Sequence, residues 1–103
     1  EVKARYEGAL TGYDILEFCT MPKKASYPEG VCLGFTNGVE EGYMVGAILH
    51  GVTKKSFCKP KGVTRGQLIL IVVKYLKDNP ERLHYQATQL ILEAMTQAFP
   101  CQD

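Results

Sequence analysis

Two histidines and four cysteines are where nucleophilic or metal chemistry in this chain would have to begin. His50 and His84 belong to neither H-E-x-x-H nor H-x-x-E-H, so the spacing that places two imidazoles on one helix face for zinc is missing. Cys19, Cys32, Cys58 and Cys101 include no C-x-x-C pair, which argues against a zinc ribbon or a thioredoxin-type dithiol. A cysteine nucleophile needs a free thiol activated by a neighbouring base. Cys58 with His50 is the one candidate pair, and a disulfide at Cys58 would abolish it. Asp14 and Asp78 fall where helix caps are expected, and no G-K-[ST] phosphate loop occurs. The expectation is a protein that is not an enzyme and needs no cofactor or metal.

The cysteines have a structural reading instead. An even count in a small domain fits two disulfides and an oxidising compartment, against the alternative of four buried free thiols in a reducing one. Four cysteines allow three pairings. The choice among them comes from the stretch between Cys58 and Cys101.

That stretch reads as a helical hairpin. Thr64 and Gln67 form the T-x-x-Q of a capping box, with Val63 and Leu68 placed as a hydrophobic staple. Leu68 to Val73 is apolar all round and continues into Lys74-Tyr75-Leu76-Lys77, which predicts a central buried helix over a buried strand. Asp78-Asn79-Pro80 ends it, and Pro80 suits the first position of a following helix with Asn79 as its N-cap and Glu81 near its positive end. Leu83, Ala87, Leu90, Ile91, Ala94 and Ala98 then mark one face, with Gln86, Gln89, Glu93 and Gln97 towards the other, and Pro100 closes the helix. So short a turn allows only an antiparallel pair, which brings Cys58 beside Cys101 and leaves Cys19 for Cys32. By loop entropy the two links would contribute about 4 and 3 kcal/mol respectively, before strain.

Upstream, residues 1–10 read as an extended arm. Leu10-Thr11-Gly12-Tyr13-Asp14-Ile15 repeats the staple-and-cap grammar and predicts a short helix from Gly12 to Thr20. A loop follows from Met21 to Gly30, and a second helix is expected to begin near Val31. In it Gly34, Gly38, Gly42 and Gly46 recur every fourth residue, at a cost of about 4 kcal/mol of helix propensity against alanine. Either close packing inside one subunit or a homodimer seam would offset that cost. Phe35, Val39, Tyr43 and Ala47 form the adjacent ridge, and Asn37, Glu40 and Glu41 are expected to face outward. Two glutamates in mid-helix exclude a membrane G-x-x-x-G dimer. His50 to Gly62 is a loop in which Lys54, Lys55, Lys59 and Lys61 form a solvated basic cluster.

Composition bounds the rest. The chain is long enough for one domain, residues 1–103, burying roughly two-thirds of its unfolded surface. A net charge of +1 without a long run of one sign suggests neither nucleic acid nor an anionic membrane as partner. No apolar run approaches a membrane span. The chain starts at Glu1 without a signal peptide, and for a protein of an oxidising compartment that segment is taken as removed.

A resemblance goes further than these residues can. Gly12-Tyr13-Asp14-Ile15-Leu16 with Cys19, then Cys32-Leu33-Gly34-Phe35-Thr36-Asn37-Gly38-Val39-Glu40-Glu41-Gly42, are similar to the Tai/Rap family of type VI secretion immunity proteins. The similarity continues through Phe57-Cys58, Gly62 to Leu68, Val72 to Leu76, Asn79 to Arg82 and Phe99-Pro100-Cys101, covering residues 11 to 101. Lys59-Pro60-Lys61 is more basic than the family pattern, and the loop from 20 to 31 is idiosyncratic. The resemblance implies an all-α fold, a small disulfide-stapled bundle of four to five helices, HdeA-like. It also implies a periplasmic and often homodimeric protein. Such proteins bind a peptidoglycan amidase of papain-like cysteine type injected by sister cells, and block its cleft sterically.

The surface expected to enter that cleft is the polar hairpin tip, Asp78, Asn79, Glu81 and Arg82 with His84. A preorganised turn lowers the ordering cost of binding. The loop residues His50, Lys54, Lys55 and Ser56 are the second choice. A different class of function, a periplasmic acid-stress chaperone of similar helical build, predicts a dimer that dissociates at low pH and exposes apolar surface.

Overall fold

A computed structural model describes residues 9–21, 26–52 and 56–102 of the chain. Four α-helices account for most of them: α1 (Gly12–Thr20), α2 (Ser26–Leu49), α3 (Arg65–Asp78) and α4 (Ala87–Ala98), with a 3-10 turn at Pro80–Arg82 between the last two. The fold is all-α, and the described residues include no strand beyond an isolated antiparallel bridge between Thr11 and Gln86.

Each helix start follows from local chemistry. At α1 the capping box is complete: the Thr11 hydroxyl accepts from the Asp14 amide while Asp14 Oδ2 accepts from the Thr11 amide at 2.9 Å. At α3 the Thr64 hydroxyl accepts from the Gln67 amide at 3.0 Å. α2 begins at Ser26, earlier than Val31, because Pro28 falls in the first turn, where its missing N–H removes no intrahelical bond. Just beyond α2, Gly51 with a φ of 65° lets the Val52 amide reach back to the Ala47 carbonyl at 2.9 Å.

The core is Ile15, Phe57, Leu68, Val72, Leu76, Leu83, Ala87, Leu90, Ile91, Ala94 and Met95, drawn from α1, α3, α4, the segment before α3 and the connection after it. Phe57 is buried there and stacks on Tyr43 of α2 at 5.1 Å. α3 is buried on one side only: Leu68, Val72 and Leu76 face the core, but Leu70 is 71% exposed, so the expected all-round burial does not hold. Two disulfides tie the elements. Cys19–Cys32 joins the end of α1 to the second turn of α2, and Cys58–Cys101 joins the residues flanking α3 and α4.

Two further expectations need correction. The fourth helix does not start at Pro80; Pro80–Arg82 is a 3-10 turn, and α4 begins at Ala87 with Gln86 as its cap residue. Asn79 is the N-cap of that 3-10 turn, with Pro80 in its first position as expected, but it is also the C-cap of α3, and its side-chain amide donates back to the Tyr75 carbonyl at 2.8 Å. Glu40, expected outside, is 7% exposed and pairs with Lys59, which anchors the residue next to Cys58 against α2. Of the arm expected over residues 1–10, residues 1–8 lie outside the described residues. Leu10 is bound, its carbonyl accepting from the Ala87 amide at 2.7 Å.

Candidate functional site

The segment joining α3 to α4 is held by two sets of contacts. Its second half is laid against the start of α1. The first amides of a helix have no intrahelical acceptor, and here those of Gly12 and Tyr13 donate to the carbonyls of Tyr85 and Leu83 at 3.0 and 3.1 Å. The approach is close enough to require glycine. A Cβ at Gly12 would stand 2.9 Å from the Leu83 carbonyl oxygen and 2.5 Å from Leu90 Cδ1.

The first half is fastened by side chains. Arg82 Nη2 donates to Glu93 Oε1 of α4, the same oxygen that accepts from the Tyr75 hydroxyl at 2.8 Å, and Gln89 donates to Oε2 at 3.1 Å. The Arg82 guanidinium also lies over the Tyr85 ring, 4.6 Å from its centroid. Partial burial opposes ionisation of Glu93. Hydrogen bonds from Gln89, Tyr75 and Arg82, with the Arg82 charge, outweigh it and hold the carboxyl below its usual range. Burial and the Glu93 contact push the Tyr75 phenol up, and the Glu93 hydrogen bond makes Arg82 a weaker acid than usual.

The five tip residues therefore share one turn but not one role. Asp78, Glu81 and His84 are exposed, whereas Asn79 and Arg82 are half-buried and bonded inward. Asp78 pairs with Lys74 one turn back on α3 at 2.9 Å, and His84 meets the Tyr85 ring edge-on at 4.7 Å. His84 also borders a shallow groove with Thr11, Tyr13, Leu16, Glu17 and Thr20 of α1. In the alternative loop, His50 and Ser56 are exposed, and the Ser56 amide donates to the Tyr43 hydroxyl at 2.7 Å. Lys54 and Lys55 lie outside the described residues. Tyr75, Tyr85, Gln89 and Glu93, which shape the tip, are not legible in the sequence as site residues. Their convergence depends on α4 starting at Ala87.

The glycine ridge is open. Among the described residues a Cβ at Gly34, Gly38, Gly42 or Gly46 would meet nothing within 4 Å, so no described element packs closely on these glycines. Gly34, Gly38 and Gly42 border a groove with Val39, Tyr43, Thr88 and Leu92. Along the same helix Val45, Ile48 and Leu49 are 53%, 73% and 75% exposed.

Cys58 is in a disulfide and has no thiolate to pair with His50. Among the described residues no group of three His, Cys, Asp or Glu side chains could hold a metal ion, and no helix is long and apolar enough to cross a membrane.

A family model for Rap1a immunity proteins matches residues 11–101, which takes in α1, both disulfides, the open ridge and the tip. The chain belongs to the Rap1a immunity protein family. Searches of curated proteins and of solved structures find no match. Membership gives this Rap1a-family chain an immunity role in general terms, with a cognate toxin as its partner. Its two disulfides fit an oxidising compartment.

Proposed function

We propose that this immunity protein acts in the periplasm by seating its α3–α4 tip in the cleft of a type VI secreted peptidoglycan amidase, a papain-like cysteine enzyme, and so excluding substrate. The observation that carries the reading is the exposure of Asp78, Glu81 and His84 on a connection bonded to α1 through its main chain and to α4 through the Arg82 side chain. A turn ordered before binding loses little conformational entropy on docking, so its contacts appear more fully as affinity. The protein works as a homodimer across the α2 face. Four helical glycines cost about 4 kcal/mol of propensity that nothing within the described chain offsets, and the exposed Val45, Ile48 and Leu49 beside them form apolar surface that a second copy would cover.

The test is calorimetric titration with a Cys–His amidase encoded beside this chain, using Glu81→Lys combined with His84→Ala. Both side chains are exposed, so folding is retained, which circular dichroism verifies. A loss of tenfold or more in affinity, about 1.4 kcal/mol, is expected; unchanged binding by the folded variant would exclude the tip.

A further inference from the structure

The two halves of the tip differ in what fixes them. Leu83, Tyr85 and Ala87 are bonded through the main chain to Leu10, Gly12 and Tyr13. Pro80–Arg82 is closed within itself, by the Arg82 amide on the Asn79 carbonyl at 3.0 Å and the Leu83 amide on the Pro80 carbonyl at 3.4 Å. It reaches α4 through the Arg82 side chain.

We infer that Glu93, a residue of α4 outside the tip, is the positioning residue of the Pro80–Arg82 turn: its carboxylate gathers Arg82, Tyr75 and Gln89 at one point and so fixes the exposed Glu81 in place. One oxygen takes Tyr75 and Arg82, the other Gln89. A charged acceptor makes the stronger class of hydrogen bond, and a planar guanidinium bonded to it is oriented as well as held. Arg82 Nε is buried with no acceptor among the described residues, so the guanidinium is seated by its Nη2 bond to Glu93 together with its place over the Tyr85 ring. Without the carboxylate, Arg82 regains solvent by swinging out, and the turn that carries it is released from α4.

This gives the tip a dependence on the charge of a single group. Facing Glu93 are Tyr75 from α3, Arg82 from the connecting segment and Gln89 from its own helix, while Tyr43 of α2 and Ser56 line the same groove. Tyrosine and arginine titrate far into the alkaline range, so Glu93 alone among them changes charge on acidification. The turn is locked while Glu93 is ionised and loosens when it is protonated.

The consequence for binding rests on the tip being the toxin-facing surface; the consequence for the turn does not. The experiment is amide hydrogen exchange by NMR on the full chain and on Glu93→Gln, corrected for intrinsic pH dependence, with Tyr75→Phe as a milder second variant. At neutral pH, Glu93→Gln is expected to speed exchange at Arg82 and Leu83 roughly tenfold, leaving Gly12, Tyr13 and Ala87 unchanged. Tyr75→Phe moves the same amides by less. Acidification reproduces the effect in the parent protein and not in Glu93→Gln. Equal protection in both proteins, or equal loosening of the turn and the α1 ladder, would overturn the inference. Titration with the neighbouring amidase separates the two claims. A similar fold loss of affinity supports both, whereas a loosened turn with unchanged affinity keeps the role of Glu93 and overturns the tip as the binding surface.

Discussion

The Tyr13 amide donates to the Leu83 carbonyl across 3.1 Å, joining the first turn of α1 to the residue that follows the 3-10 turn. With the neighbouring Gly12 to Tyr85 bond, it turns two orphan donors of a helix start into the anchor of a connection far along the chain. α1 thus holds the Leu83–Tyr85 half of the tip from behind, while Arg82 ties the Pro80–Arg82 half to Glu93 of α4.

Gly12 is therefore the glycine that stability depends on. Gly12→Ala sets a Cβ against the Leu83 backbone and Leu90, and is expected to cost about 1–3 kcal/mol. Urea unfolding followed by circular dichroism reads this as a lower midpoint with an unchanged slope. A midpoint equal to that of the parent protein would mean that α1 does not approach Leu83 this closely.

The ridge glycines should behave in the opposite way. Gly38→Ala and Gly42→Ala enter open space inside a helix, so each should stabilise the isolated subunit by up to about 1 kcal/mol. If α2 is a dimer seam, the same changes should weaken self-association in sedimentation equilibrium. Dimers of undiminished affinity would place the seam elsewhere.

Acid should act through Glu93. Its carboxyl is held below the usual range in the folded chain, so the folded state binds fewer protons than the unfolded one in that window. The stabilisation is complete above the ordinary glutamate pKa of about 4.3 and is lost as pH falls through the depressed folded value. Urea midpoints measured from pH 7 downward should fall less steeply in Glu93→Gln than in the parent. Parallel curves would remove Glu93 from the acid response. The same series addresses the acid-stress chaperone alternative, which requires dissociation and exposed apolar surface in acid.

Removing Cys58–Cys101 should destabilise more than removing Cys19–Cys32, by loop entropy about 4 against 3 kcal/mol. The first link spans 43 positions of sequence and the second 13. Melting of the two paired serine variants gives the order. A reversed order would mean that the shorter link also holds the packing of α1 on α2 in place.

Much of this arrangement is written in local sequence. Thr11 with Asp14, and Thr64 ahead of Gln67, announce their helices because capping is decided within four residues. The hairpin places Cys58 beside Cys101 because both flank helices that must run antiparallel. What local pattern hides is any feature needing a third element. Glycine spacing alone does not separate a packed ridge from an open one, and it draws attention to Gly38 and Gly42 while the close approach is at Gly12. Glu40 reads as solvent-facing because its partner, Lys59, arrives from a loop. Arg82 reads as a free tip charge when the last helix is started at Pro80, and that start points Glu93 outward.

In the proposed function residues 78–84 occupy the amidase cleft. Hydrogen-exchange footprinting of the complex with the neighbouring amidase tests it most directly. New protection is expected at Glu81 and His84, and at the amidase residues around its cysteine and histidine. Protection confined to other surfaces of this chain, with the tip exchanging as in the free protein, would contradict it.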